Sequence, residues 1–210
     1  MAVIAVILAA ILAGSLSQAG VLGAKPTEKP FHIPSATMIP TLMPGDFVMV
    51  RMLHDDAEKK SLTAGVIVVF KNPVEGWEQV GRIIATSGQA VIMRSGMVYV
   101  DDTPIPQEVI GEYEIQLKRT VTASLLEESL GAMSYEVLDV QPDSGPLDNV
   151  GPYRVPEGHY FVLGDNRDMS MDSRVLSKVG YVPAENIIGA ASYIYKSESR
   201  LESVGKRLDR

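Results

Sequence analysis

Two hydroxyl side chains, Ser35 and Thr37, stand in the run Pro34-Ser35-Ala36-Thr37-Met38-Ile39-Pro40-Thr41-Leu42. An alcohol is a workable nucleophile only where a neighbouring group removes its proton, so the next question is which residues could act as a base. Arg82 cannot, because a guanidinium stays protonated. Lys71, in Phe70-Lys71-Asn72-Pro73, reads as a surface residue at a strand end. Lys178 has two readings, a solvated loop lysine or an amine brought near the hydroxyls. His32, His54 and His159 are scattered without a pair at metal-ligand spacing, so no metal and no cofactor is assigned. A second polar stretch, Gly164-Asp165-Asn166-Arg167-Asp168-Met169-Ser170-Met171-Asp172-Ser173-Arg174, interleaves carboxylates with arginines. That alternation suits charge-assisted hydrogen bonds, which could support a reactive floor or simply fix a loop crossing a sheet.

The elements that must position these residues are strands. Phe47-Val48-Met49-Val50 follows a Pro44-Gly45-Asp46 turn, and Val66 to Phe70 is an apolar run of strand length. Val80 to Ala85, Tyr160 to Leu163 and Ile187 to Tyr195 read the same way. Ser95-Gly96 is the turn of a hairpin joining Val91-Ile92-Met93 to Met97-Val98-Tyr99. Short strands with Gly and Pro punctuation predict an all-β fold, a coiled or barrel-like antiparallel sheet. The acidic stretch 100–154 predicts an inserted smaller subdomain between core segments 31–99 and 155–196. The polar tail 197–210 reads as frayed or as a short surface helix.

From Met1 to Ala24 there is no charged residue. A membrane-spanning helix needs about 20 apolar residues, and this stretch reaches that length if Ser15, Ser17 and Gln18 sit at the interface. It is expected to be a retained transmembrane anchor, followed by a linker at 25–30. A cleaved secretory signal and a buried core helix are the alternatives; the first has a small-residue site at Ser17-Gln18-Ala19 but lacks the charged n-region. Lys25 and Lys29 alone would place the following residues in the cytoplasm by the positive-inside rule. The net charge of −7 argues against nucleic acid as a partner, and the absence of cysteine removes disulfides and thiolate metal sites.

A third block, Val80-Gly81-Arg82-Ile83-Ile84-Ala85-Thr86-Ser87-Gly88, completes a pattern. In order and content, the three blocks and the preceding anchor make the chain resemble bacterial type I signal peptidases. The resemblance implies a membrane-anchored serine-type endopeptidase. It would remove signal peptides from exported preproteins at small-x-small sites on the outer face of the cytoplasmic membrane. Its partners would be preprotein signal peptides and the lipid bilayer, and its β domain would be extracytoplasmic. In that family a serine nucleophile works with a lysine base. Here the serine position is Thr37 and the lysine position is Gly81, so both members of the dyad depart from the pattern. Ser35 matches the hydroxyl of the oxyanion hole and Ser170 the serine that hydrogen-bonds the lysine. Asp165, Asn166, Arg167, Asp168, Asp172, Ser173 and Arg174 match the polar scaffold, and Met38 is expected to face substrate or membrane. The stretch between Asp-Ser-Arg and Gly-Tyr-Val-Pro is longer than in the family, with Ser177-Lys178-Val179 as the added residues.

A threonine in place of the serine is tolerable, although its methyl restricts χ1. Glycine in place of the lysine is graver, because general-base help contributes about 10²–10⁴-fold. Three functions remain in view: a peptidase with a degenerate dyad, a catalytically silent homologue that binds signal-peptide-like segments or a partner protein, and a structural membrane-anchored β protein.

Overall fold

The computed structural model describes residues 27–116, 119–142 and 144–209. The anchor expected over 1–24, and the first residues of the linker, lie outside them. Among the described residues no helix is long and apolar enough to cross a membrane.

The described residues are mostly β, with one short helix, α1 (Asp56–Lys60), and every pair of strands among them is antiparallel. Four early strands, β1 (Glu28–His32), β2 (Phe47–Met52), β3 (Ile67–Lys71) and β4 (Glu78–Thr86), join three late ones. The late strands are β12 (His159–Leu163), β13 (Val182–Pro183) and β14 (Ile187–Lys196), and the sheet order is β1-β2-β14-β3-β4-β12-β13. The sheet is open, with β1 and β13 at its edges. Register shifts at Phe161/Val162 in β12 and at Ala191/Tyr193 in β14 mark bulges, which bend and twist a strand.

Alternation along β3 sends Val68 and Phe70 into one apolar cluster with Ile83 and Val162, and Ile67 and Val69 into another with Val48, Val50 and Ile194. Both faces are therefore buried, which explains why Ile67 to Phe70 is continuously apolar rather than alternating. The predicted hairpin joins β5 (Ala90–Arg94) to β6 (Met97–Val100), with Ser95 and Gly96 at φ 46° and 75°. Positive φ at both central residues is what a tight hairpin turn of this hand requires. A two-residue β7 (Thr103–Pro104) and β11 (Tyr153–Arg154) complete that four-stranded sheet. The middle of the acidic stretch forms a separate three-stranded sheet of β8 (Gln107–Gln116), β9 (Thr120–Leu130) and β10 (Met133–Asp139), while its two ends, β7 and β11, belong to the hairpin's sheet.

The tail differs from its expectation. It makes a 3₁₀ turn at Leu201–Ser203, then runs back along β14 through Gly205 N–H to Ile194 O, at 2.8 Å, and Leu208 N–H to Ser192 O, at 2.9 Å. Leu208 is buried against Ile33, Met38 and Leu42, so one apolar residue in a polar segment docks it.

Candidate active site

Ser35 and Thr37 lie on the loop between β1 and β2. The loop closes on itself through Gly45 N–H to Ile33 O, and Leu42 N–H to Met38 O, both 2.8 Å. Met38 and Leu42 are fully buried in the sheet's apolar cluster, and they root the loop there. Met38 is thus a core residue and not a substrate- or membrane-facing one. A large apolar side chain on a loop over a sheet gains more by entering the core than by staying at its surface.

With that side of the loop buried, the hydroxyls turn the other way. Ser35 Oγ and Thr37 Oγ1 are 3.1 Å apart and both line a cavity of about 670 Å³. Phe31, Ile33, Val69, Val80 and Met171 give it apolar walls, and Trp77, Gln79, Glu75 and Lys178 surround them. Motif reading alone did not reach most of these wall residues, because their contribution is a shape and not a reactive group. The Thr37 backbone N–H makes no hydrogen bond among the described residues. The cavity meets a pair of hydroxyls.

The polar block grips the same loop. The Asn166 backbone N–H donates to Thr37 O at 3.0 Å, and its side-chain amide donates to Ala36 O at 3.0 Å. The Thr41 hydroxyl donates to Asp165 Oδ2 at 2.6 Å. Asp165 is held in turn by a bidentate fork from Arg82, at 2.9 and 2.7 Å. Arg82 also stacks over the Tyr135 ring, 3.8 Å from its centroid. Burial alone would lower the Arg82 guanidinium, but the adjacent Asp165 charge and hydrogen bonds more than reverse it.

Arg167 makes a second buried fork, 2.6 Å to each oxygen of Glu128 on β9. Burial again pulls this guanidinium down and Glu128 pulls it further up, so the net shift is upward. Glu128 carried no local signal, since its partner stands 39 residues away and only the fold brings them together. Arg174 pairs with Asp172, whose Oδ2 also accepts from Gly164 N–H at 3.2 Å. Ser173 Oγ accepts from Val162 N–H at 2.9 Å and ties the block to β12. Asp168 Oδ2 accepts from Val140 and Gln141 N–H at 2.8 and 2.9 Å, linking the block to the end of β10.

Gly81 lies on β4 opposite Val68. A Cβ added there would meet Leu163 O at 3.3 Å, Val162 Cβ at 3.5 Å and Phe70 Cε1 at 3.6 Å, so a Cβ fits once the Leu163 carbonyl gives by a few tenths of an ångström. Gly164, just past the end of β12, approaches both Thr37 and Ser170: a Cβ there would fall 2.5 Å from Thr37 O and against the Ser170 hydroxyl. Leu163-Gly164 thus bridges Gly81 to Thr37. Ser170 is buried, and its hydroxyl has no hydrogen-bond partner among the described residues.

Among the described residues no basic side chain hydrogen-bonds Thr37, whose side-chain partner is Ser35, although His32 and Lys178 line the same cavity. Lys71 is exposed, as its strand-end position implies. Lys178 does line the cavity, but its side chain is 53% exposed and its ammonium pairs with Glu75 at 3.2 Å. Its amine is thus turned to Glu75 and not to the hydroxyls.

The signal peptidase family, peptidase S26, matches residues 1–196. Signal peptidase I of Pseudomonas fluorescens is 30% identical over 188 residues, covering 80% of this chain and 65% of that protein. A probable signal peptidase I-1 of Synechocystis sp. is 31% identical over 185 residues, covering 84% and 76%. A crystal structure of signal peptidase I from Enterococcus faecalis V583 aligns at 22% identity and a TM-score of 0.38, over 62% of this chain and 97% of that one.

Proposed function

This chain belongs to the signal peptidase family, peptidase S26, and we propose that it binds the signal-peptide segment of exported preproteins and cleaves it slowly at a small-x-small site. The observation that carries the proposal is the pair of hydroxyls, Ser35 and Thr37, 3.1 Å apart at one apolar-walled cavity. Thr37 Oγ1 is the attacking oxygen. The Ser35 hydroxyl and the Thr37 backbone N–H are the donors available to the oxyanion that develops as the scissile carbonyl is attacked. The cavity walls take the small side chains that precede the scissile bond. Asp165, Asn166, Arg167, Asp168, Asp172, Ser173 and Arg174 hold the loop through the hydrogen bonds described. The protein works as a single-pass protein of the cytoplasmic membrane, with the lipid bilayer beside it and its β region on the extracytoplasmic face.

Glycine at position 81 sets the rate. Without a general base, the alcohol must lose its proton to water, which forfeits about 10²–10⁴-fold. A second reading, a homologue that binds but never cuts, is favoured by the same absence of a basic partner at Thr37. Binding is common to both readings and can be measured directly. The chain's single tryptophan, Trp77, is 57% exposed and lines the cavity. Titrating the detergent-solubilised protein with a peptide carrying an Ala-x-Ala site should shift and saturate Trp77 fluorescence. A peptide with bulky residues in place of both alanines should not. Equal responses, or none, would remove the proposal.

A further inference from the structure

The loop that carries Ser35 and Thr37 is gripped from a second side, by a residue in the tail. Arg200 Nη1 donates to Pro40 O at 2.9 Å. Its Nη2 donates to Thr41 O at 3.2 Å and to Asp46 Oδ2 at 2.8 Å. These three acceptors all belong to the β1–β2 loop and its closing turn. Asp46 is fully buried, and the same Oδ2 also accepts from Met43 N–H at 2.9 Å. Arg200 is itself set in place by its backbone N–H donating to Ser197 Oγ at 3.1 Å, and beyond it Leu208 packs on Met38 and Leu42.

We infer that Arg200 is a positioning residue: its planar fork fixes the C-terminal half of the hydroxyl loop against the docked tail, while Asn166 fixes the half that contains Thr37 and Asp165 holds Thr41 from the opposite side. A guanidinium reaches these acceptors from two nitrogens held in one rigid plane, whereas a lysine's three donors radiate from a single flexible nitrogen. Because the loop is held at Ala36, Thr37 and Thr41 from one side and at Pro40, Thr41 and Asp46 from the other, losing Arg200 frees the loop without touching the strands. The inference rests on the proposed role of the hydroxyl loop for its functional meaning, but the geometry can be tested without it.

Native-state amide exchange of the full chain in detergent is the test. In Arg200→Ala, the Leu42 and Asp46 amides, bonded to Met38 O and Met43 O, should exchange roughly ten- to a hundredfold faster, the cost of losing hydrogen bonds to a charged donor. The Ile83 and Ser173 amides, bonded to Val66 O and Val162 O, should be unchanged. Arg200→Lys should show the same selective acceleration, because it keeps the charge and loses the fork. Unchanged loop amides, uniform acceleration throughout, or full rescue by lysine each overturn the inference. The Trp77 peptide titration, run on the same variants, should show weaker binding with the core amides intact. If the parent binds no peptide, the functional proposal fails while the exchange pattern still decides the role of Arg200.

Discussion

If position 81 addresses Thr37 as proposed, placing a lysine there should convert this site into a fast one. An added Cβ lies 3.3 Å from Leu163 O and 3.5–3.6 Å from Val162 and Phe70, so the neighbours need yield only a few tenths of an ångström. Phe70 and Val162 are buried and would sheathe the lysine stem. Desolvation disfavours a charged amine, so such a lysine is a free base at lower pH than an exposed one. The gain should equal the general-base contribution that glycine forfeits, about 10²–10⁴-fold, or ~3–5 kcal/mol of barrier at 1.36 kcal/mol per tenfold. The variant to make is Gly81→Lys with Thr37→Ser, since serine removes the methyl that restricts χ1. The assay is single-turnover cleavage of a preprotein with an Ala-x-Ala site by detergent-solubilised protein, followed from pH 6 to 10. The rate should climb with pH as the amine loses its proton, then level off. A correctly folded double variant with no gain over the parent would refute the reasoning, because it would mean that position 81 does not address Thr37.

Other substitutions test the scaffold. Glu128→Ala leaves the buried Arg167 guanidinium without its carboxylate and should cost about 3–5 kcal/mol in urea unfolding; a loss below about 1 kcal/mol would show that the pair is not buried in solution. Gly164→Ala drives a Cβ into Thr37 O and Ser170, and should lower stability by about 1–3 kcal/mol and weaken the Trp77 response to peptide. Asp139 makes a pH prediction. Burial, then the hydrogen bond and charge of Asp168, then the charge of Asp148, push its carboxyl up to about 7. The folded state therefore holds a proton that the unfolded chain releases near pH 4, so this contribution to stability is full below pH 4 and lost as pH rises towards 7. Asp139→Asn should flatten that part of the profile, and an unchanged slope between pH 4 and 7 would rule the effect out.

Much of the sheet was legible because strand periodicity is local. Ile67 to Phe70, the Ser95-Gly96 hairpin and β14 fall where alternation, turn chemistry and apolar runs place them. The hydroxyl pair and the polar block were legible as motifs. Their mutual arrangement was not: Thr41 reaches Asp165 across 124 residues and Arg200 reaches Pro40 across 160. Met38 shows the limit of motif reading. Its place beside Thr37 suggested a surface contact, but the loop's need for an apolar root sent it into the core. The tail misled for a related reason, since its polar composition hid Leu208 and the backbone pairing with β14.

The proposal that Thr37 is a nucleophile working without a base is tested most directly by the cleavage rate of the parent beside Thr37→Val, which keeps the side-chain shape and removes the hydroxyl. The parent should process an Ala-x-Ala preprotein slowly, at least about 10²-fold below the Gly81→Lys/Thr37→Ser variant, and Thr37→Val should abolish processing altogether. Processing that survives in Thr37→Val, or a parent as fast as the double variant, would contradict it.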